Sequence, residues 1–247
     1  MFQRWFKPGN FNNLLVIGCR RAGKTSYLRR QFPQHSYYTL DDFDLLTFAK
    51  RDPKGFVGQL GPRSIIDEIR RVPELTIAVK KRIEEGSLSV IMTGSSSLGL
   101  LSSSADSLAG RIRIARFPTA CWGEDQGMPT HSFFEDTVPE NHFKEIKRQF
   151  DLALNYGGFP EIVSEADVLL KEELLRVYRD TYFTRDLAQL SNIENVEGIR
   201  AILNHVGRAI GSQLEISSFA KVPFGLSGRP KICFISLDRR SRSQPWA

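Results

Sequence analysis

The segment Gly18-Cys19-Arg20-Arg21-Ala22-Gly23-Lys24-Thr25 constrains this chain more than any other. It fits GxxxxGK[ST] throughout. The apolar run Leu14-Leu15-Val16-Ile17 precedes it, and helix-compatible residues follow from Ala22 to Phe32, closed by Pro33. A short apolar strand, a glycine turn and a helix in that order imply a buried parallel strand with the turn at its carboxyl end. Glycine lets the backbone bend tightly around a phosphate chain, and the N–H groups and helix N-terminus supply positive potential. Lys24 is placed to reach the outer phosphates and the Thr25 hydroxyl to ligate Mg²⁺, while Cys19, Arg20, Arg21, Ala22 and Ser26 complete the cradle. A glycine turn without a ligand would not need the strand before it or the helix behind it.

Further strands read at Ser36 to Leu40, Ser64 to Asp67, Leu88 to Thr93 and Ile112 to Phe117. Asp41 and Asp42 offer caps for a helix through Lys50, and another helix runs from near Pro73 to Gly86. Alternating strands and helices predict an α/β fold, a P-loop parallel sheet with helices on both faces. The texture changes after Trp122. Residues 124–138 are rich in Gly, Pro, Asp and Thr and read as a linker. Helical stretches follow near 139–155, 167–190, 193–210 and 213–221, with Leu169, Leu170, Leu174, Leu175 and Tyr178 recurring as the stripe of a bundle core. The expected organisation is a lead at 1–12, an α/β domain at 13–123, a smaller all-helical domain at 139–222 and an irregular basic tail at 223–247.

Ser64-Ile65-Ile66-Asp67-Glu68 supplies the acidic partner of the loop. Asp67, ending a strand, is placed for the Mg²⁺ shell, and Glu68 to orient or deprotonate an attacking water. An acidic pair alone would read as a solvated helix start; the loop upstream favours the catalytic reading. Thr93-Gly94-Ser95-Ser96 ends the fourth strand, where ligands of parallel sheets lie, so Thr93 or Ser95 can touch the water or the γ-phosphate; an ordinary serine cap is the bland alternative. Arg111 can stabilise phosphoryl-transfer charge in its own subunit or a neighbour's. The alternation Arg111-Ile112-Arg113-Ile114 fits a strand with one polar face equally well.

Charge adds little to this reading. The chain holds 34 Lys and Arg against 28 Asp and Glu, net +6, but residues 221–247 carry six of the basic groups and one acid. The first 220 residues are therefore close to neutral, so the overall charge is weak support for a nucleic-acid surface on the folded body. Three scattered cysteines, Cys19, Cys121 and Cys233, form neither a disulfide framework nor a zinc site. The polar start is unlike a signal peptide and no run approaches the ~20 apolar residues of a membrane helix, so a cytoplasmic protein is expected.

Several motifs occur in a fixed order: the phosphate loop, Leu40-Asp41-Asp42, Ile66-Asp67-Glu68-Ile69 with Val72-Pro73-Glu74-Leu75, Thr93-Gly94-Ser95-Ser96 and Leu108-Ala109-Gly110-Arg111. Together they resemble the AAA+ ATPase domain of a large prokaryotic family. In the helical half, Tyr156-Gly157-Gly158-Phe159-Pro160, Arg179-Asp180-Thr181-Tyr182 and Arg185-Asp186-Leu187 resemble that family's second domain, whose function is unknown. The resemblance implies ATP as the nucleotide, a 5-1-4-3-2 strand order, Asp67 near Mg²⁺, Glu68 as the catalytic glutamate and Ser95 as a sensor. Arg70 stands where the family usually has Gln. After Ala220 the pattern departs: Val222-Pro223-Phe224-Gly225 and Gly228-Arg229-Pro230 precede an Arg/Ser-rich end that reads as a truncated or altered C-terminus without a DNA-reading helix.

The function expected is Mg²⁺-dependent ATP hydrolysis coupled to a conformational change between the two domains. A slow nucleotide-dependent switch and a small-molecule kinase are the rivals; Glu68 argues against the kinase, which needs no water-activating carboxylate. The partners expected are ATP, a second copy of the chain in a homo-oligomer, and an unidentified protein. DNA stands behind these, and no membrane is expected.

Overall fold

Three short apolar runs and two more polar segments that flank them as edge strands dictate the architecture. In the computed structural model, which describes residues 3–9, 11–95, 110–125, 127, 143–183 and 204–207, they form one parallel sheet. The strands are β1 (Leu14–Ile17), β2 (Ser36–Thr39), β3 (Arg63–Asp67), β4 (Ser89–Gly94) and β5 (Arg113–Arg116). Their order is β2-β3-β4-β1-β5, the 5-1-4-3-2 order implied by the resemblance. Every pairing is parallel, with Ile17 opposite Gly94 and Arg116 and with Thr39 opposite Asp67, so the carboxyl ends share one edge.

Both faces are covered, as a central parallel sheet requires. Leu15, Ile17, Ile66, Val90 and Met92 point to one face. They are buried under α2 (Phe43–Arg51), α3 (Pro53–Gly58) and α4 (Leu75–Glu84) through Phe56, Leu75 and Val79. Leu14, Val16, Ile65 and Ile91 point to the other, under Tyr27 and Leu28 of α1 (Lys24–Gln31). Asp42 caps α2, its Oδ1 accepting from the Asp44 and Leu45 N–H groups at 3.0 and 2.9 Å. α3 is not anticipated by the sequence pattern. Asp52 accepts from Gly55 N at 2.8 Å and Pro53 stands in its first turn, where proline is tolerated because no N–H is needed there.

The segment expected as a lead before the domain belongs to its packing. Arg4 is buried; its guanidinium donates to Glu124 Oε2 at 2.9 Å, Ala22 O at 2.9 Å and Pro118 O at 2.7 Å, and lies over the Phe117 ring. Phe6 packs edge-on against Tyr27 and Phe117. The expected linker likewise begins in ordered structure, since Glu124, Arg4's partner, is buried in α5 (Trp122–Asp125).

The described residues of the C-terminal region are helical: α6 (Phe143–Tyr156), α7 (Pro160–Ser164) and α8 (Val168–Val177), continued by a π-helical turn over Tyr178–Phe183, and a helical turn at 204–207. The expected leucine stripe needs correction. Leu169 and Leu170 are exposed, whereas Lys171, Leu174, Leu175 and Tyr178 form the inward face. Lys171 lies inside because its Nζ donates to Ile162 O at 2.6 Å, tying α8 to the end of α7. The chain divides into two compact units, Met1–Glu194 and Asn195–Ala247, so α6 to α8 share a unit with the sheet. The helix expected at 213–221 and the tail at 223–247 lie outside the described residues.

Candidate nucleotide-binding site

The phosphate loop leaves β1 with Gly18, which is close to two neighbouring strands. Gly18 N donates to Gly94 O at 3.4 Å, and a Cβ on Gly18 would stand 2.3 Å from Phe117 O. No other residue fits there. Arg21 and Gly23 then adopt left-handed backbone, with φ of 61° and 90°, which folds the loop back toward the start of α1. Lys24, Thr25 and Ser26 open that helix. The Lys24 ammonium is buried and donates to Gly18 O and Cys19 O, both at 2.9 Å, so it lies inside the loop's curve. Burial pushes its pKa below the usual lysine value, against the pull of the Glu68 and Asp67 carboxylates.

Asp67 ends β3 directly beside this helix start. Its Oδ2 accepts from Thr25 Oγ1 at 2.8 Å and from Tyr37 Oη at 2.5 Å, and its Oδ1 accepts from Thr93 Oγ1. Tyr37 has no local sequence signal, since it reaches Asp67 only through the β2–β3 register, and its hydroxyl is pushed well up by burial and by the carboxylate it faces. Thr93 therefore holds Asp67 in place and also accepts from Glu68 N at 3.3 Å.

Glu68 follows in left-handed backbone, φ 56°, an uncommon conformation for a residue other than glycine and one found often at functional sites. The turn sends its side chain to the cavity, where Arg70 Nε pairs with Oε2 at 3.0 Å. Burial first, then the Asp67 carboxylate, pushes the Glu68 carboxyl above the usual range; Lys24 pulls the other way.

A cavity of about 450 Å³ lies over the loop, lined by Lys24, Thr25, Glu68, Arg21, Arg71 and Glu161 among others. Arg20, Gly23 and Ser26 also face it. Arg71 forms an ion pair with Asp41 across the cavity's β2 side. Ser95 is buried at the end of β4 but does not line this cavity. Arg111 stands apart. It precedes β5, whose first residue pairs with Leu14 at the amino-terminal edge of the sheet, and its guanidinium binds Glu84 at 2.7 Å. A parallel strand therefore separates Arg111 from its own chain's loop, so an action on that site within one subunit does not fit the geometry.

The helical region supplies residues that sequence reasoning missed. Gly158 packs against the segment after β5, with Ala120 N donating to Gly158 O at 2.7 Å. A Cβ on Gly158 would fall 1.7 Å from Ala120 O, so glycine is required. Pro160 starts α7 beside Gly23, and Glu161 reaches Arg21 at 2.8 Å. The signal was the Tyr156-Gly157-Gly158-Phe159-Pro160 motif, which marks this docking point without revealing what it docks against.

Comparison with known proteins agrees with this layout. Residues 10–124 match the model of an AAA domain, and residues 147–229 that of a domain of unknown function (DUF8612). An uncharacterised protein of Methanocaldococcus jannaschii is 24% identical over 220 residues, covering 84% of this chain and 49% of that protein. The chain thus spans about half the length of that curated relative. Among solved structures, a Walker-type ATPase of Pyrococcus abyssi matches with a TM-score of 0.42 at 15% identity, covering 74% of this chain and 71% of that one. The Aeropyrum pernix ORC1 protein in complex with DNA matches with a TM-score of 0.33 at 16% identity, over 77% and 59% of the two chains. No helix among the described residues is long and apolar enough to cross a membrane. The phosphate loop and the parallel sheet thus fall within the segment that is similar to an AAA domain, and α7 and α8 within the segment that is similar to the domain of unknown function.

Proposed function

We propose that the chain binds ATP with Mg²⁺ over Gly18 to Ser26 and hydrolyses it, and that turnover is coupled to rearrangement of the helical region. One observation carries the reading: Lys24 and Thr25 at the start of α1 and Glu68 after β3, 43 positions further along the chain, line a single cavity, with Asp67 bonded to Thr25 behind them. Thr25 and Asp67 present hydroxyl and carboxylate oxygens, the hard donors Mg²⁺ takes. These two residues would hold the ion, which neutralises phosphate charge when bound. Lys24, held by two loop carbonyls, exchanges one of them for a β- or γ-phosphate oxygen. Loop N–H groups and the α1 N-terminus orient the phosphate chain. Glu68, with its proton affinity raised by burial, takes a proton from the attacking water more readily than an exposed glutamate would.

This arrangement needs no acceptor other than water, which favours an ATPase over a kinase. The test compares two variants. Lys24→Ala should lower affinity for a fluorescent ATP analogue by about 100-fold or more, because it removes the charge that meets the outer phosphates. Glu68→Gln should bind ATP within roughly threefold of wild type while phosphate release falls by about 100-fold. Normal turnover by Glu68→Gln, or unchanged affinity in Lys24→Ala, would defeat the reading.

A further inference from the structure

Nothing in the phosphate-loop motifs accounts for the part of the cavity lining that the helical region supplies. That part is Pro160 and Glu161, at the start of α7. Arg21 Nη1 lies 2.8 Å from Glu161 Oε2, and the same oxygen accepts the hydroxyl of Tyr178 from the end of α8. The Arg21 guanidinium also stands over the Tyr178 ring at 5.8 Å, and Phe159 meets that ring edge-on at 5.1 Å. One carboxylate therefore ties both helices to the loop that would hold the phosphates.

The two ends of this connection differ in strength. At Gly158 the helical region is anchored by a backbone hydrogen bond in a fit too close for any side chain. At Glu161 it is held through an ion pair whose side chains are 49% and 46% exposed, a class of contact that contributes little by itself. A firm pivot beside a loose, charged contact can move when its charges are rearranged. Glu161 is also an anion facing a cavity built for anions, so its contact with Arg21 and the presence of bound phosphates oppose each other.

We propose that Glu161 is a nucleotide-responsive latch, a reading that rests on the phosphate site proposed above. Phosphates entering the cavity take the Arg21 guanidinium, which they engage as charge-assisted acceptors, and their charge repels the Glu161 carboxylate. The bound state then favours α7 and α8 released from the loop about the Gly158 pivot. The empty state favours them held. Because a triphosphate carries more charge than a diphosphate, ATP opens the latch further than ADP does.

The test follows amide hydrogen exchange over residues 160–177 together with nucleotide affinity, in the full chain with Mg²⁺. In wild type, a non-hydrolysable ATP analogue should speed exchange in that segment, and ADP should do so less. Glu161→Gln keeps the shape and removes the charge. It should exchange fast without nucleotide, respond little to the analogue, and bind it about 2- to 5-fold more tightly, the range an exposed ion pair can contribute. Tyr178→Phe keeps the ring and removes the hydroxyl, so it should shift affinity and exchange in the same direction by a smaller amount. Slowed or unchanged exchange in nucleotide-saturated wild type, or an affinity in Glu161→Gln no higher than wild type, overturns the latch while leaving the nucleotide site standing. A wild-type chain that binds no nucleotide defeats the site itself and the latch with it.

Discussion

Glu68 shows how much of the site is decided at single residues. Its left-handed backbone turns a strand end into a cavity wall, and burial, then the Asp67 carboxylate, leave the carboxyl harder to ionise than a free glutamate. A raised folded-state pKa contributes stability below the ordinary carboxylate value, and that contribution is lost as pH rises through the raised value. Glu68→Gln cannot ionise, so it should melt above wild type at pH 7, by roughly 1–4 °C, with the gap closing toward pH 4. Loss of the Arg70 pair at 3.0 Å offsets part of the gain. The scan should stop near pH 8. Lys24, depressed by burial, works with the opposite sign: stability rises as pH climbs through its lowered value toward that of free lysine. A gap that stays constant with pH would mean that the Glu68 charge costs the fold nothing. If Glu68 is the water-activating base proposed above, the same gain means that the site is less stable than its inactive variant. Asp67 and Glu68 were legible because they follow a strand after a complete loop. Tyr37 and Glu161 were not, because they meet their partners 30 and 140 positions away, where no local spacing can register them.

At the scale of elements, the five strands were legible to within a residue or two at each end, β1, β3 and β4 as short apolar runs and β2 and β5 as β-branched, aromatic or alternating segments bounded by turn residues. α3 was missed since Pro53 opens it, and the opening segment read as a lead because Arg4 finds its partners at Ala22, Pro118 and Glu124, far along the chain. The docking of α6 and α7 was signalled only by paired glycines, and it carries a stability prediction. Gly158→Ala places a Cβ 1.7 Å from Ala120 O, so chain or carbonyl must shift. This should cost about 2–4 kcal/mol in urea unfolding, in the range of forced overpacking or above it. Gly86→Ala is the control: its φ is 66° but nothing lies within 4 Å of the added atom, so the cost is the left-handed backbone alone, about 1 kcal/mol. Equal costs in the two variants would show that Gly158 is not the contact on which the helical region pivots.

For the whole molecule, net charge misleads unless its position is read. The chain carries +6, yet residues before 221 are nearly balanced, so attraction to polyanions belongs to the C-terminal residues and not to the sheet that holds the loop. The match to the helical domain of unknown function ends at residue 229, and Lys231, Arg239, Arg240 and Arg242 follow it against a single acid, Asp238. A chain ending at Arg229 keeps the loop, Asp67, Glu68 and Glu161, so its ATP hydrolysis should stay within about twofold of the full chain. Its binding to duplex DNA should fall and become less salt-sensitive, because each DNA phosphate that a cation neutralises adds about 0.9 to the steepness of log affinity against log salt. Removing four cations should therefore make that slope shallower by roughly 3 to 4. Fluorescence anisotropy at about 50 and 200 mM salt, on two duplexes of unrelated sequence, measures both the slope and any preference. Equal affinity for the two duplexes, lowered to the same extent on truncation, is the outcome expected of phosphate binding alone. Tight, salt-resistant binding to one of them would require base-edge contacts that clustered arginines near a chain end do not provide by charge. It would assign these residues a reading function that their composition does not suggest.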